Sequence, residues 1–175
     1  MGSGNTSLTW GSSYDRGRQS QERLDKILSH TDLPGTVLDL GANVGFFAHG
    51  MAKAGFDVVA AEPPNKKTFD LDLVSEYRKW VQRSEDLPDG PFDYTLVLSV
   101  VHHIPAWQDV LEGVYARTTR ASFVEVPART ELHSQWHGSR ESYEYLVADS
   151  RAEIIGSYTE VSGHTYRDLW KVDLS

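Results

Sequence analysis

The chain contains no cysteine, so disulfides, thiolate nucleophiles, zinc ribbons and iron–sulfur clusters are excluded together. Any chemistry falls to histidine, carboxylates and the backbone. Long apolar runs are also missing. The most hydrophobic stretch, around Leu96 to Val101, is far below the roughly eighteen residues that a membrane-spanning helix needs. The N-terminus has no apolar signal-peptide core, and a soluble, cytoplasmic protein is expected. Positive charge is in deficit, with 17 Lys and Arg against 25 Asp and Glu for a net charge of −8. That sign repels a phosphate backbone unless cations gather locally, which disfavours a general nucleic-acid binder. What is present, 175 residues with 39% hydrophobic side chains, suits one domain around one core.

Residues 1–17 are dominated by small polar side chains and read as a flexible N-terminal segment ahead of a single domain over 18–175. From Arg18 to His30, Leu24, Ile27 and Leu28 recur at i, i+3, i+4, which predicts an amphipathic helix ended by Pro34 and Gly35. Strand-like runs at 36–40, 57–61, 79–82, 92–101 and 121–126 alternate with helical patterns at 46–54, 66–77 and 107–116. The principal strands are apolar throughout and not patterned on one side, so the fold class is α/β. A three-layer αβα sandwich is expected, with a mostly parallel sheet covered by helices on both faces. The tail differs: 152–161 and 165–172 flank Ser162, Gly163 and His164 and predict a closing antiparallel hairpin.

In such a sheet, ligands sit beyond the carboxyl ends of the strands where strand order reverses. Those ends carry Gly41 to Gly45, Glu62, Ser99 to His103 and Glu125 to Pro127. Gly41 and Gly45 allow a sharp turn and a close main-chain approach, and the next helix offers its free N–H groups to an anionic group. Asp39 can accept from an ammonium, or cap the loop through its own side chain. The dinucleotide fingerprint is not met, because positions 41, 43 and 46 are Gly, Asn and Phe. A nicotinamide cofactor is therefore disfavoured. Glu62 lies 21 residues beyond Gly41, where a carboxylate grips both hydroxyls of a ribose. Loop and acid together describe a nucleoside without a pyrophosphate.

With VLDLGANVGFFA at 37–48, VVAAEPPNK at 58–66 and LPDGPFDYTLVLSVVHHI at 87–104, the chain resembles the class I S-adenosylmethionine-dependent methyltransferases. The Glu-Pro after the second strand and the G-A-N-x-G-x-F loop lean toward the FkbM-like branch, which is rich in O-methyltransferases. The resemblance implies a seven-stranded Rossmann-like sheet, with S-adenosylmethionine as cofactor and S-adenosylhomocysteine as product. The cofactor contacts it implies are Asp39, Gly41, Asn43, Gly45, Phe46, Glu62, Pro63, Ser84, Glu85, Ser99 and Val100. One departure stands out. Arg83 occupies the position after the third strand where an acid commonly holds the adenine. Either Glu85 takes the adenine amine, or the Ser84 backbone serves alone.

His102 and His103 follow the fourth strand, where an imidazole can take a proton from a hydroxyl nucleophile at neutral pH. His103 is the preferred base and His102 the second candidate. The alternative is that one packs under the sheet while the other lines the pocket. His133, Trp136, His137 and Tyr143 lie in the connector 127–150 and are candidate substrate contacts on a lid, with packing of the aromatic rings as the competing reading. His133 and His137 at i, i+4, with Glu125 or His103, have ligand-like spacing, but without an H-E-x-x-H pattern no metal is expected. Tyr14, Arg16, Arg18 and Arg23 could reach the cofactor or decorate a solvated helix.

The leading reading is O-methylation of a small metabolite, sugar or natural product. An RNA or protein methyltransferase needs a local basic surface, for which Lys66, Lys67, Arg78, Lys79 and Arg83 are the candidates. A non-catalytic cofactor-binding subunit that activates a partner, or an oligomer, completes the alternatives.

Overall fold

The computed structural model describes residues 10–65, 73–128, 138–159 and 166–175. Seven strands form one sheet in the order β3-β2-β1-β4-β5-β7-β6. They are β1 (Thr36–Leu40), β2 (Asp57–Glu62), β3 (Ser75–Arg78), β4 (Phe92–Leu98), β5 (Thr118–Glu125), β6 (Ala152–Thr159) and β7 (Tyr166–Asp173). The first five run parallel, and β7 inserts antiparallel between β5 and β6. The α/β class, the mostly parallel sheet and the antiparallel closing pair all match the sequence reading.

Successive residues of a strand point to opposite faces, and here both faces are covered. Val37, Val58, Leu96 and Phe123 pack with Leu24 and Ile27 of α1 (Trp10–Leu28) and Ala48 and Met51 of α2 (Phe46–Lys53). Leu38, Leu40, Val97 and Val124 pack with Val110, Leu111 and Val114 of α3 (Trp107–Tyr115) and Leu146 of α4 (Ser139–Ala148). This is why the strands read as unbroken apolar runs. Burying Ile27 alone, at 0% exposure, stabilises by about 2 kcal/mol. Helix α1 comes close to α2 because Gly50 has no side chain: a Cβ there would lie 2.3 Å from Leu24 Cδ2.

Three expectations are corrected. Helix α1 begins at Trp10, inside the segment expected to be flexible. Its first turns lack apolar periodicity, yet no proline interrupts them. The third strand is Ser75–Arg78 and not 79–82, and it replaces the end of the helix expected over 66–77. Its residues Ser-Glu-Tyr-Arg carry little strand signal because this is a short edge strand, held by the backbone ladder from Val59↔Ser75 to Glu62↔Arg78. Finally, β4 stops at Leu98: Ser99 turns out with φ 56°, and Val101–His103 form a 3-10 turn.

Candidate functional site

The strand order reverses between β1 and β4, and there a cleft of about 470 Å³ opens at their carboxyl ends. Gly41, Asn43, Glu62, Pro63, Trp80, Ser99, Val100 and His103 line it. A smaller cavity of about 100 Å³ shares several of these walls and is bounded further by Leu40, Ala61, Lys79, Val81 and Gln82.

The loop after β1 is shaped by left-handed residues, with φ 77° at Gly41, 53° at Asn43 and 79° at Gly45. A Cβ on Gly41 would lie 2.6 Å from Val100 Cγ2, so only glycine lets the β1 loop close against the end of β4. The buried Glu62 carboxylate accepts the Asn43 backbone N–H and so faces the glycine loop from the end of β2.

Asp39 is buried under this loop and is absent from the cleft walls. Its carboxyl is pushed up to about 7, first by burial, against a hydrogen bond from the Ala48 backbone N–H, with the nearby Glu62 charge adding to the rise. One of its oxygens has no partner among the described residues. Asp39 is thus placed to tie the loop to α2 from below. Gly45 is the N-cap of α2, and Phe46 lies in the wall of a separate groove beside Leu24, His49 and Leu73. Neither lines the cleft.

The adjacent histidines part company on the 3-10 turn. His102 is 2% exposed, and burial, followed by the His103 and Arg167 charges, pushes its pKa down to about 3. It is neutral at physiological pH and a poor proton acceptor. His103 is exposed and lines both cavities, with its ring centroid 4.1 Å from that of His102. Behind them runs a polar network. Glu125 pairs with Arg23 Nη1 at 2.8 Å and accepts the Ser99 hydroxyl, which itself accepts Arg167 Nη1 at 3.0 Å. Arg23 therefore bridges α1 to the end of β5, and Glu125 is committed to Arg23 and Ser99.

The structure separates other expected contacts from the cleft. The Ser84 backbone N–H and hydroxyl donate to Asp109 at 2.7 and 2.9 Å, and neither Ser84 nor Glu85 lines the cavities. Tyr143 donates to Asp168 at 3.1 Å and packs edge-on against Trp170, away from the cleft walls. His133, Trp136 and His137 lie outside the described residues, as do the side chains of Tyr14, Arg16 and Arg18. Among the described residues, no cluster of three metal-ligating side chains occurs. No described helix is long and apolar enough to cross a membrane.

Sequence reasoning missed Trp80 as a cleft residue, and Lys79, Val81 and Gln82 as walls of the smaller cavity. The signal was present, since they directly follow the third strand, but it was hidden by placing that strand on them. Arg167 carried no local signal; only the antiparallel insertion of β7 brings it to Ser99.

Among solved structures, the fold is similar to that of magnesium protoporphyrin IX methyltransferase (ChlM) from Synechocystis PCC 6803 with bound SAH. That likeness has a TM-score of 0.69 at 14% identity and covers 99% of this chain and 90% of that one. It is equally similar to WbdD, with a TM-score of 0.69 at 24% identity over 87% of this chain and 35% of that one. An uncharacterized methyltransferase of Mycobacterium sp. (strain JLS) is 29% identical over 133 residues, 74% of this chain. The chain spans about half, 51%, of that relative's length. The family model described as a methyltransferase domain matches residues 13–171, and the chain belongs to that methyltransferase domain family.

Proposed function

We infer that the chain is an S-adenosylmethionine-dependent methyltransferase whose acceptor is the hydroxyl of a small molecule. The observation that carries the cofactor reading is the joining of the Gly41 loop and Glu62 in one cleft at the switch point of the sheet. The residues fit a nucleoside. The glycine turn leaves no room for a Cβ, and Glu62 presents a buried carboxylate to two adjacent hydroxyls. When bound, the cofactor supplies an electrophilic methyl group on a sulfonium. The chain contributes alignment, which is the greater part of catalysis for an in-line displacement, and a proton acceptor. That acceptor is the His103 imidazole, since its neighbour His102 is buried and its pKa is held near 3.

A small acceptor is favoured over RNA by charge. Of the basic residues that would form a nucleic-acid surface, Arg78 pairs with Glu76 and Lys79 with Asp86 at 2.9 Å, while the chain as a whole stands at −8. Lys66 and Lys67 lie outside the described residues.

Calorimetric titration with S-adenosylhomocysteine tests the cofactor reading. The wild type should bind, and Glu62→Ala should lose at least about tenfold, the worth of one good charge-assisted hydrogen bond. Absence of wild-type binding overturns the reading. A methyl-labelled cofactor offered with pooled small hydroxylated metabolites, and separately with RNA, tests the acceptor. Label should enter the metabolites, and His103→Ala should lower turnover about a hundredfold without weakening cofactor binding.

A further inference from the structure

We propose that Ser99 and Glu125 are positioning residues for the methyl transfer: clamped by Glu125 and Arg167, the Ser99 hydroxyl locks the left-handed turn that carries His103 into the cleft. The inference rests on the reading of His103 as the proton acceptor.

Among the described residues, two that are not glycine have positive φ, Asn43 at 53° and Ser99 at 56°. Asparagine visits that region because its short amide bonds the local backbone, and serine is not among the residues that do so routinely. Such a residue persists only where its surroundings over-determine it, and such sites cluster at active sites and switches. Three bonds hold Ser99. Its backbone N–H donates to the Glu125 carbonyl at 2.9 Å, its hydroxyl donates to the Glu125 carboxylate, and Arg167 Nη1 donates to that hydroxyl at 3.0 Å. Glu125 is 2% exposed and Arg167 8%, and Arg23 ties the second oxygen of the Glu125 carboxylate at 2.8 Å. Charge-assisted bonds in so buried a network are strong. A glycine at position 99 would take the same torsion without strain, yet the chain commits a buried carboxylate and a guanidinium to a serine.

Arg23, Glu125 and Arg167 line neither cavity, whereas Ser99, Val100 and His103 stand in the cleft wall. The network therefore acts from behind, and what it sets is direction. Strand β4 ends at Leu98, Ser99 turns the chain out of the sheet, and Val100 comes against Gly41. The 3-10 turn then closes, with the His103 backbone N–H donating to the Val100 carbonyl at 3.0 Å. The imidazole thus lies four residues beyond the locked torsion, on a turn with backbone bonds of its own, and a rotation at Ser99 swings it as a unit. Displacing a catalytic group by about 1 Å costs on the order of a hundredfold in rate.

The test compares wild type, Ser99→Ala and Ser99→Gly in the full chain. Both variants lose the hydroxyl, but glycine also removes the strain of the left-handed torsion. Calorimetric affinity for S-adenosylhomocysteine should stay within about threefold of wild type, while label transfer from S-adenosylmethionine into the hydroxylated metabolites falls roughly 10- to 100-fold. The imidazole NMR signals of His103, assigned by their loss in His103→Gln, give a readout that needs no acceptor. Saturating S-adenosylhomocysteine should shift them in the wild type. In both variants that shift should be lost or the lines broadened, with the His30 and His49 signals unmoved, a pattern that general loosening of the fold would not produce. A wild-type His103 response in either variant overturns this inference, since the bend then suffices without the clamp. So does a loss of S-adenosylhomocysteine affinity beyond about tenfold in Ser99→Ala, which would make the hydroxyl a direct cofactor contact. Both results leave the methyltransferase reading standing. His103 signals that stay in place while the wild type binds S-adenosylhomocysteine overturn the base reading and this inference together, and a wild type that does not bind it overturns the cofactor reading as well.

Discussion

Asp39 is a carboxyl raised from 3.8 to about 7 by burial beneath the glycine loop. Its folded-state pKa lies above the unfolded value, so the native state binds the extra proton between those limits. Stability from Asp39 is complete below about pH 4 and is lost as pH rises through 7. Asp39→Asn removes the buried charge while keeping the shape. It should raise the unfolding free energy at pH 8 by about 2 to 4 kcal/mol and change little at pH 4. Urea denaturation at the two pH values checks this, and equal effects at both would refute the assignment. His102 has the opposite sign. Its depressed pKa, near 3 against 6.5, means that the unfolded chain takes up the proton first, so His102 costs stability as pH falls below 6.5. The two residues together favour a stability maximum between these limbs.

Helix α1 is joined to the sheet by apolar contacts and by the Arg23–Glu125 pair, in which the carboxylate side chain is 3% exposed and the guanidinium 20%. Removing one partner leaves the other charge buried. Arg23→Met should destabilise by about 3 kcal/mol, and adding Glu125→Gln should recover most of that loss. A neutral single variant in a chemical denaturation series would show that the pair does not hold the helix. The same element shows where periodicity stops informing. Leu24, Ile27 and Leu28 marked the half of α1 that meets the sheet, while the turns from Trp10 carry no apolar spacing and were read as loose chain. Strand β3 failed differently: an edge strand needs backbone pairing on one side and little apolar surface, so Ser75–Arg78 looked unlike its neighbours.

The two apolar cores share one sheet, Leu38 and Val97 on one face and Val37 and Leu96 on the other. That continuity couples the cofactor cleft to the whole molecule. Ligand that binds only the folded state, at a hundred times its dissociation constant, stabilises by about 2.7 kcal/mol. For a chain of this size the melting temperature should rise by about 5 to 10 °C with S-adenosylhomocysteine. Scanning calorimetry should show a single transition moving as a unit. An unmoved transition would contradict the cofactor reading, and a split one would contradict the coupling.

The parallel sheet, the glycine turn and Glu62 at the end of β2 were legible in the linear chain, because each is encoded in residues a few positions apart: unbroken apolar runs, Gly41 through Gly45, and an acid just past a strand. The choice of partners was not. That His102 turns inward and His103 outward, that Trp80 enters the cleft, that Ser84 is spent on Asp109, and that Arg23 meets Glu125 102 positions away are contacts between distant segments. Their geometry follows from how the layers pack, and no local pattern in the chain records it.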